Sequence, residues 1–555
     1  GLDKNLNFAS YQQDSERIDS ISRVFPLTFF LVAALVSFTG MFRIVEDDRS
    51  TIAAMQSLGY GPGAVFGKYF FYSLSVGIPG IILGIAIGYW LFPSSIFNYG
   101  YSIMYLLPSI ETPLHLRFCI LASVIAIVSV AAPTLMVTTA NMRENPASLM
   151  RPKAPPPGKR IALEKIKTLW SAMNFSAKVT ARNILRYKKR FFMTVAGIAG
   201  CTAIVLTGFG VRDSIKFVPV NQFDRVLFHA FQITLSDSAR RTDRLALERY
   251  LIAQDDVREL GHQYRENVDV GVSGKTKTYR AALVVPAEPD LLPDFVRLAD
   301  PRSGAPVAPT SGAVIISQKL SSLLGISTGD ILTMTGDDDI EYALQIRGIT
   351  ENYVQHYIYM TPEYYRSLTG VPPDYNTIVC LAGELAETRR DELSWHILDN
   401  AGVSALSFKE KTRDFYADIL DSLNVIVLIL IVSGALLAFV VLFSLTGINI
   451  DERKREIASL KVLGFYDGEA SAYIFRENTV NTVVGVIVGL VFGVALHQFV
   501  IRTAEVDMIL FGKVVAPISY VYSSALTFFY TFIVNTVMTS SIRNIDMIES
   551  LKSVE

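Results

Sequence analysis

Charge is scarce in this sequence and close to cancelled. Only 19% of its 555 residues are charged, and 51 Lys and Arg stand against 52 Asp and Glu. A chain with no net field has nothing to recruit nucleic acid. Cysteine is rarer still. Of Cys119, Cys201 and Cys380, two sit inside apolar runs, which rules out a disulfide framework. The six histidines (His115, His229, His262, His356, His396, His497) are scattered, with no His-Glu-x-x-His and no Cys/His cluster at metal spacing. A nucleotide site is missing too. Gly274-Lys275-Thr276 ends like a phosphate loop, but the glycine required five residues earlier is Asp269. No Leu-Ser-Gly-Gly-Gln signature occurs either. The sequence therefore assigns no catalytic, cofactor-binding or metal-binding residue, and an enzyme is not expected.

Apolar sequence is what is present. Half the residues are hydrophobic and the mean hydropathy is +0.34, too apolar for a soluble chain of this length. A bilayer core takes ~20 apolar residues per helix. Seven runs qualify: Phe25–Phe42, Phe70–Phe92, Phe118–Ala140, Phe191–Val211, Leu423–Ile448, Thr479–Ile501 and Val514–Thr539. None carries a charged residue, which argues against a proton- or sodium-driven carrier, since those need ionisable groups within the membrane. The segment Met142–Arg190 carries thirteen Lys and Arg against Glu144 and Glu164, so it is placed in the cytoplasm. Pro93–Leu114 has no Lys or Arg and is placed outside. Alternation from there puts Arg212–Asp421 outside and the C-terminus inside a prokaryotic plasma membrane. Seven spans would leave the N-terminus outside, where Gly1–Arg23 reads as the end of an extracytoplasmic helix. An upstream span and outer domain are expected to precede it.

A shift of 405 positions aligns two long stretches without a gap. Ile52-Ala53 meets Ile457-Ala458, and Leu58-Gly59-Tyr60 meets Leu463-Gly464-Phe465. Further on, Gly80, Gly84 and Gly88 meet Gly485, Gly489 and Gly493. Scattered apolar coincidence does not put a charged loop, a Leu-Gly-aromatic and three glycines in register, so the chain is a tandem duplication. The glycine series is expected to serve close helix packing.

Each cytoplasmic loop reads as a short amphipathic helix that starts on charged residues and stops at glycine. In the first, Glu46 precedes the stripe Ile52, Met55, Leu58, with Gly59 at the end; in the second, Glu452 and Arg455 precede Ile457, Leu460, Leu463, with Gly464 at the end. Such a stripe suits a groove in a partner protein, or equally the headgroups and the bundle itself. The arrangement Arg43-Ile44-Val45-Glu46…Ile52…Leu58-Gly59-Tyr60, repeated at Asn449–Phe465, is similar to the coupling loop of FtsX/MacB-like ABC transporter permeases. Arg182–Arg190, ahead of a span, also resembles that family. The first loop departs from its more usual Arg/Lys-Arg-Glu-Ile pattern, having Arg49-Ser50-Thr51-Ile52. The resemblance implies that a separate dimer of ABC-type ATP-binding subunits is coupled through those eleven loop residues.

The stretch Arg212–Asp421 mixes strand and helix signals. Strands are expected at Ala230–Leu235, Tyr279–Val285, Ala313–Ile316, Ile331–Thr335, Tyr342–Ile346 and Thr377–Leu381. Helices are expected at Thr242–Ala253, Gln318–Leu324, Thr361–Leu368, Leu385–Asn400 and from Phe408 into the next span. The run Gly312–Asp330 resembles the outer domain of MacB-type permeases. The aromatic group Tyr353, His356, Tyr357, Tyr359, Tyr364 and Tyr365 reads as internal packing rather than a ligand site, and Asp337-Asp338-Asp339 as a solvated turn.

The fold class is thus an α-helical multi-pass membrane protein of about seven spans in two repeated modules, with an α+β extracytoplasmic domain. Residues 1–24 end an outer segment, 25–141 form the first module, and 142–190 a basic linker. Residues 191–211 form a span, 212–421 the outer domain and 422–555 the second module. The expected function is a permease that couples ATP hydrolysis in its partner to export or extraction of a lipid, lipoprotein, peptide or drug. The alternative is a signalling module controlling a cell-wall hydrolase or sensing an antimicrobial. Membrane lipid and an extracytoplasmic protein or substrate are the other expected partners.

Overall fold

The computed structural model describes residues 48–96, 114–142, 175–186 and 188–545, apart from positions 275–276, 337–339, 384 and 506, with scattered residues between 26 and 46 and between 145 and 173. The segment Gly1–Arg23, the loop Pro93–Leu114, the basic linker and the triplet Asp337-Asp338-Asp339 therefore lie wholly or largely outside the described residues, and the run Phe25–Phe42 lies partly outside them, its described residues being helical. Six helices among the described residues are long and apolar enough to cross a membrane: Pro62–Leu91, Leu116–Ala140, Phe191–Val226, Ile431–Asp451, Asp467–Thr503 and Pro517–Arg543. The chain divides into two compact units. One comprises Gly1–Arg212, Ser422–Ala504 and Val515–Glu555; the other comprises Asp213–Asp421 and Glu505–Val514.

In the first membrane module a short helix α1 (Arg49–Ser57) precedes the long apolar helices α2 (Pro62–Ile96) and α3 (Leu116–Met142), which pack on each other. Val45, Ile52, Ala53, Val65, Tyr69 and Val137 form its buried core. After α4 (Phe175–Arg186), helix α5 (Lys188–Asn221) starts on basic residues and runs through the apolar stretch.

The sheet domain has nine strands: β1 (Phe231–Leu235), β2 (Val257–Gly271), β3 (Tyr279–Pro286), β4 (Val314–Ser317), β5 (Ile331–Thr335), β6 (Glu341–Thr350), β7 (Tyr357–Tyr359), β8 (Thr377–Ala382) and β9 (Val403–Phe408). Its helices are α6 (Arg241–Ile252), α7 (Gln318–Leu324), α8 (Pro362–Thr369) and α9 (Glu387–Leu398). Fifteen-residue β2 organises it. Its first half pairs with β8, beyond which come β1 and β9, all antiparallel. With α6 after β1 and α9 after β8 this is a split β-α-β-β-α-β lobe. Phe231, Ile233, Leu247, Leu251, Ile378, Leu393 and Ile397 fill it. The second half of β2 pairs with β3 and, at its end, with β5. Strands β3, β7, β4, β6 and β5 follow in order, so six strands close on themselves. Val268, Val270, Leu283, Ile316, Leu332, Leu344 and Ile358 pack there. Three strands had no clear signal in the sequence. In β2 charged residues interrupt the apolar ones, β7 is only three residues long, and β9 has small residues on its exposed positions.

The second module comprises α10 (Lys409–Glu452), α11 (Lys454–Val462), α12 (Asp467–Ala504) and α13 (Pro517–Arg543). The last span begins at Pro517 rather than Val514, because the chain from Glu505 to Val514 packs with the sheet domain. The two glycine ladders differ. A Cβ on Gly489 would sit 2.8 Å from the Ala199 carbonyl oxygen, and one on Gly493 3.2 Å from Ala203 Cα, so α12 lies against α5 at backbone distance. At Gly80, Gly84 and Gly88 a Cβ would meet nothing within 4 Å. A neighbouring helix thus lies against Gly485, Gly489 and Gly493, and no described residue packs on Gly80, Gly84 or Gly88.

Amides supply the polarity that the absence of charged residues concealed. Asn449 Nδ2 donates to Asn478 Oδ1 at 2.8 Å, and Asn478 Nδ2 reaches Asn535 Oδ1 at 3.3 Å, joining α10, α12 and α13. The Thr202 and Thr527 hydroxyls lie 3.2 Å apart, tying α5 to α13. Between membrane helices such bonds contribute about 0.6 kcal/mol each, enough to fix register.

Candidate coupling site

The two copies of the amphipathic helix are built alike. Both stop at a glycine in the left-handed region, Gly59 at φ 89° and Gly464 at φ 94°. The same six-to-one bond closes each: Tyr60 N–H donates to the Met55 carbonyl at 3.0 Å, and Phe465 N–H to the Leu460 carbonyl at 3.1 Å. A side chain at either glycine would strain that turn.

The inner face of each helix is committed to its own module. Ile52 and Ala53 are fully buried, as are Ile457 and Ala458. Ile457 packs with Ile450, Ala470, Ile474 and Ile542. Met55 and Leu460 are half-buried. Thus the front of each stripe faces the bundle, one of the two orientations the sequence leaves open.

A charged joint holds the start of each helix, with reversed polarity. In the first module Asp48 accepts from Lys68 Nζ at 2.8 Å and from the Tyr69 hydroxyl at 3.0 Å. Lys68 and Tyr69 hold the Asp48 carboxyl below its ordinary range. The equivalent residue of the second module is Arg453, whose guanidinium pairs with Glu477, both almost completely buried. Lys461 Nζ donates to the carbonyls of Ile542 and Arg543, each at 3.0 Å, so α11 also caps the end of α13. Glu46 pairs with Arg49 at 3.1 Å, and Arg455 is exposed. Glu452 ends α10.

The far end of each helix is apolar and exposed. Leu58 is 76% exposed and Leu463 75%. Tyr60 stands beside the first, and Val462, Phe465 and Tyr466 beside the second. Of the residues the sequence singles out for docking, Leu58 and Leu463 face outward and Ile52 and Ile457 do not. The aromatic neighbours were not singled out, because they follow the glycine where helical periodicity ends.

A second contact was not legible. The segment 505–514 packs within the sheet domain. Gln355 N–H donates to the Met508 carbonyl and Leu510 N–H to the Tyr353 carbonyl, both at 2.9 Å. Buried Lys319 pairs with Glu505 at 3.4 Å. Gln355 adopts φ 63°, the left-handed region, to make this contact. The aromatic group beside it is internal packing, with His356, Tyr357, Tyr359 and Tyr364 buried. The letters Gly325-Ile326-Ser327-Thr328-Gly329 match a hydrolase elbow, but they lead from helix α7 into strand β5, the reverse of the strand-to-helix order that an elbow requires.

Comparison with known proteins agrees with this arrangement. The model of the FtsX-like permease C-terminal domain matches twice, at residues 23–142 and 428–547, the same 405-residue offset. No curated protein matches. Among solved structures, the chain is similar to the periplasmic region of MacB from Actinobacillus actinomycetemcomitans, with 10% identity over 36% of this chain and 97% of that one and a TM-score of 0.23. It is similar to the extracellular domain of the noncanonic ABC-type transporter YknZ from Gram-positive bacteria, with 15% identity, 32% and 98% coverage and a TM-score of 0.21. A domain of a permease protein from Porphyromonas gingivalis gives 18% identity, 32% and 84% coverage and a TM-score of 0.19. Five of the six described membrane helices lie in these two matched regions, each of which carries the same clamped helix, so the chain contains two regions similar to the FtsX-like permease domain.

Proposed function

We propose that the chain is the permease subunit of an ABC transporter, driven by a separate dimer of ATP-binding subunits that dock on the exposed ends of α1 and α11. The observation that carries this reading is the duplicated apolar knob: Leu58 with Tyr60, and Leu463 with Phe465 and Tyr466, each on a helix whose other face is fixed into its module. Paired knobs 405 residues apart suit a two-fold partner. A helix so anchored passes a push from the partner to α2 or to α12 and α13 rather than swivelling. The basic linker puts this side in the cytoplasm, and the sheet domain then lies outside, where it would act on a lipid, lipoprotein, peptide or drug. The chemistry of ATP hydrolysis belongs to the partner; this chain supplies the conformational response.

The test is the double substitution Leu58→Asp and Leu463→Asp, co-expressed with the ATP-binding subunit. Burying two leucines contributes about 1.5–3 kcal/mol each, so association should weaken by roughly 10²- to 10⁴-fold. The melting temperature of the permease alone should not change. Undiminished association and ATP-dependent activity would sink the proposal.

A further inference from the structure

The sheet domain contains a cavity of 260 Å³ enclosed by the end of the helical segment Gln222–Val226, β2, β3, the β6–β7 turn and the start of α10. Its chemistry is one-sided. Arg265 and Lys409 line it, and no aspartate or glutamate does. Arg265 donates to the Gln232 side-chain oxygen at 2.7 Å and to the Tyr357 hydroxyl at 3.3 Å, both neutral. Lys409 Nζ donates to the Leu227 carbonyl at 3.4 Å. Among the described residues no carboxylate pairs with either cation. A half-buried cation without a counter-charge is costly, and such groups are normally paired.

A third donor is held ready. Gln222 is 1% exposed. Its side-chain oxygen accepts from the backbone N–H groups of Tyr353 at 2.7 Å and Val354 at 3.3 Å, which fixes the orientation of the amide. Its Nε2 is left buried with no hydrogen-bond partner among the described residues. His229 stands in the same wall, its imidazole pushed down to about 4, by burial first and Arg265 second. It is neutral at pH 7, so the positive charge there is that of Arg265 and Lys409. Phe223 and Phe295 contribute apolar wall.

We propose that this cavity binds an oxyanion carrying a short apolar group, with Arg265, Lys409 and the Gln222 amide converging on its oxygens and the aromatic wall taking the apolar part. Two acceptor-rich groups share that chemistry, a phosphate monoester and a carboxylate. The volume falls at the small end of ligand cavities, which limits the bound portion to a headgroup and its first few carbons. The site lies wholly within the sheet domain and does not depend on the ATP-binding partner, so its failure would leave the coupling proposal intact.

The experiment uses the full chain in detergent, with hexyl phosphate, hexanoate and hexanol as probes and calorimetric titration as the readout. Saturable binding of hexyl phosphate or hexanoate, weakened by salt, is expected. The anion that binds more tightly identifies the source; equal affinities mean that the site reads only charge and shape. Lys409→Met and Arg265→Gln should each weaken binding about tenfold or more, and Arg265→Lys should restore part of it. If Arg265→Gln does not fold, Lys409→Met and a Gln222→Glu variant, which places a carboxylate among the donors, carry the same test. Binding of hexanol as tight as either anion, affinity unchanged in Lys409→Met, or no saturable binding of either anion would each overturn the proposal.

Discussion

At the scale of single residues, the joint between Arg453 and Glu477 shows why a charged pair can be buried beside a membrane helix. Both side chains are nearly inaccessible, so each is the other's replacement for water. Glu477→Leu leaves the guanidinium to the half-exposed Glu456, 3.8 Å away, and should cost up to about 3–5 kcal/mol, whereas Arg453→Met with Glu477→Leu should recover most of it. Thermal melts of the four species in one detergent measure the coupling, and a double variant no better than the single one would deny it. Histidine gives a pH dependence of known sign. Burial, assisted by Lys319, holds His356 down at about 4, and burial with Arg265 does the same for His229. An unfolded chain protonates near 6.5. Between about pH 6.5 and 4 the unfolded state therefore takes up protons that the folded state refuses, and stability falls across that window while remaining level above it. The ceiling is about 3 kcal/mol per histidine. Melting the full chain from pH 7.5 to 4.5 should show a shallower decline for His356→Gln than for the parent.

At the scale of elements, the two glycine ladders make a controlled comparison. They occupy equivalent positions of α2 and α12, yet among the described residues only the second has a helix against it. Gly489→Ala drives a methyl towards the Ala199 carbonyl and the Thr202 side chain, and should destabilise by about 1–3 kcal/mol. Gly84→Ala meets open space and gains helix propensity, so its stability should be unchanged or slightly raised. Equal losses at both sites, read from unfolding in detergent, would contradict the observed packing. The amphipathic helices α1 and α11 repeat the lesson at shorter range. The three-residue spacing of Ile52, Met55 and Leu58 is visible as a stripe, but a stripe does not say which of its members another part of the chain will cover. Val45, Val65 and Tyr69 decide that for Ile52, and nothing among the described residues covers Leu58.

At the scale of the whole molecule, duplication governs the membrane part and one long strand governs the other. The sheet domain also includes ten residues, Glu505–Val514, from between α12 and α13. Their hold includes the buried Lys319–Glu505 pair, the exposed Lys277–Asp507 pair and two backbone bonds. Glu505→Gln should leave Lys319 without its nearest carboxylate and speed hydrogen exchange in 505–514 and around Gln355, while α6 and α9 keep their protection. Unchanged exchange in that strip would show that the backbone bonds and the Lys277–Asp507 pair suffice.

The sequence by itself determined the apolar spans, the repeat with its 405-residue offset, the glycine stops of both amphipathic helices and six of the nine strands. Each of these is written locally: in run length, in a period of 3.6 or 2, or in a residue that alone tolerates the left-handed region. Only the tertiary structure decided which stripe residues turn inward, that β2 is shared between a lobe and a closed sheet, that residues 505–514 join the sheet domain, and that Arg265, Lys409 and Gln222 meet at one cavity. Those outcomes rest on pairings between residues far apart in the chain. Their energy depends on what each side chain displaces from water on the other side of the contact, and no local pattern records that.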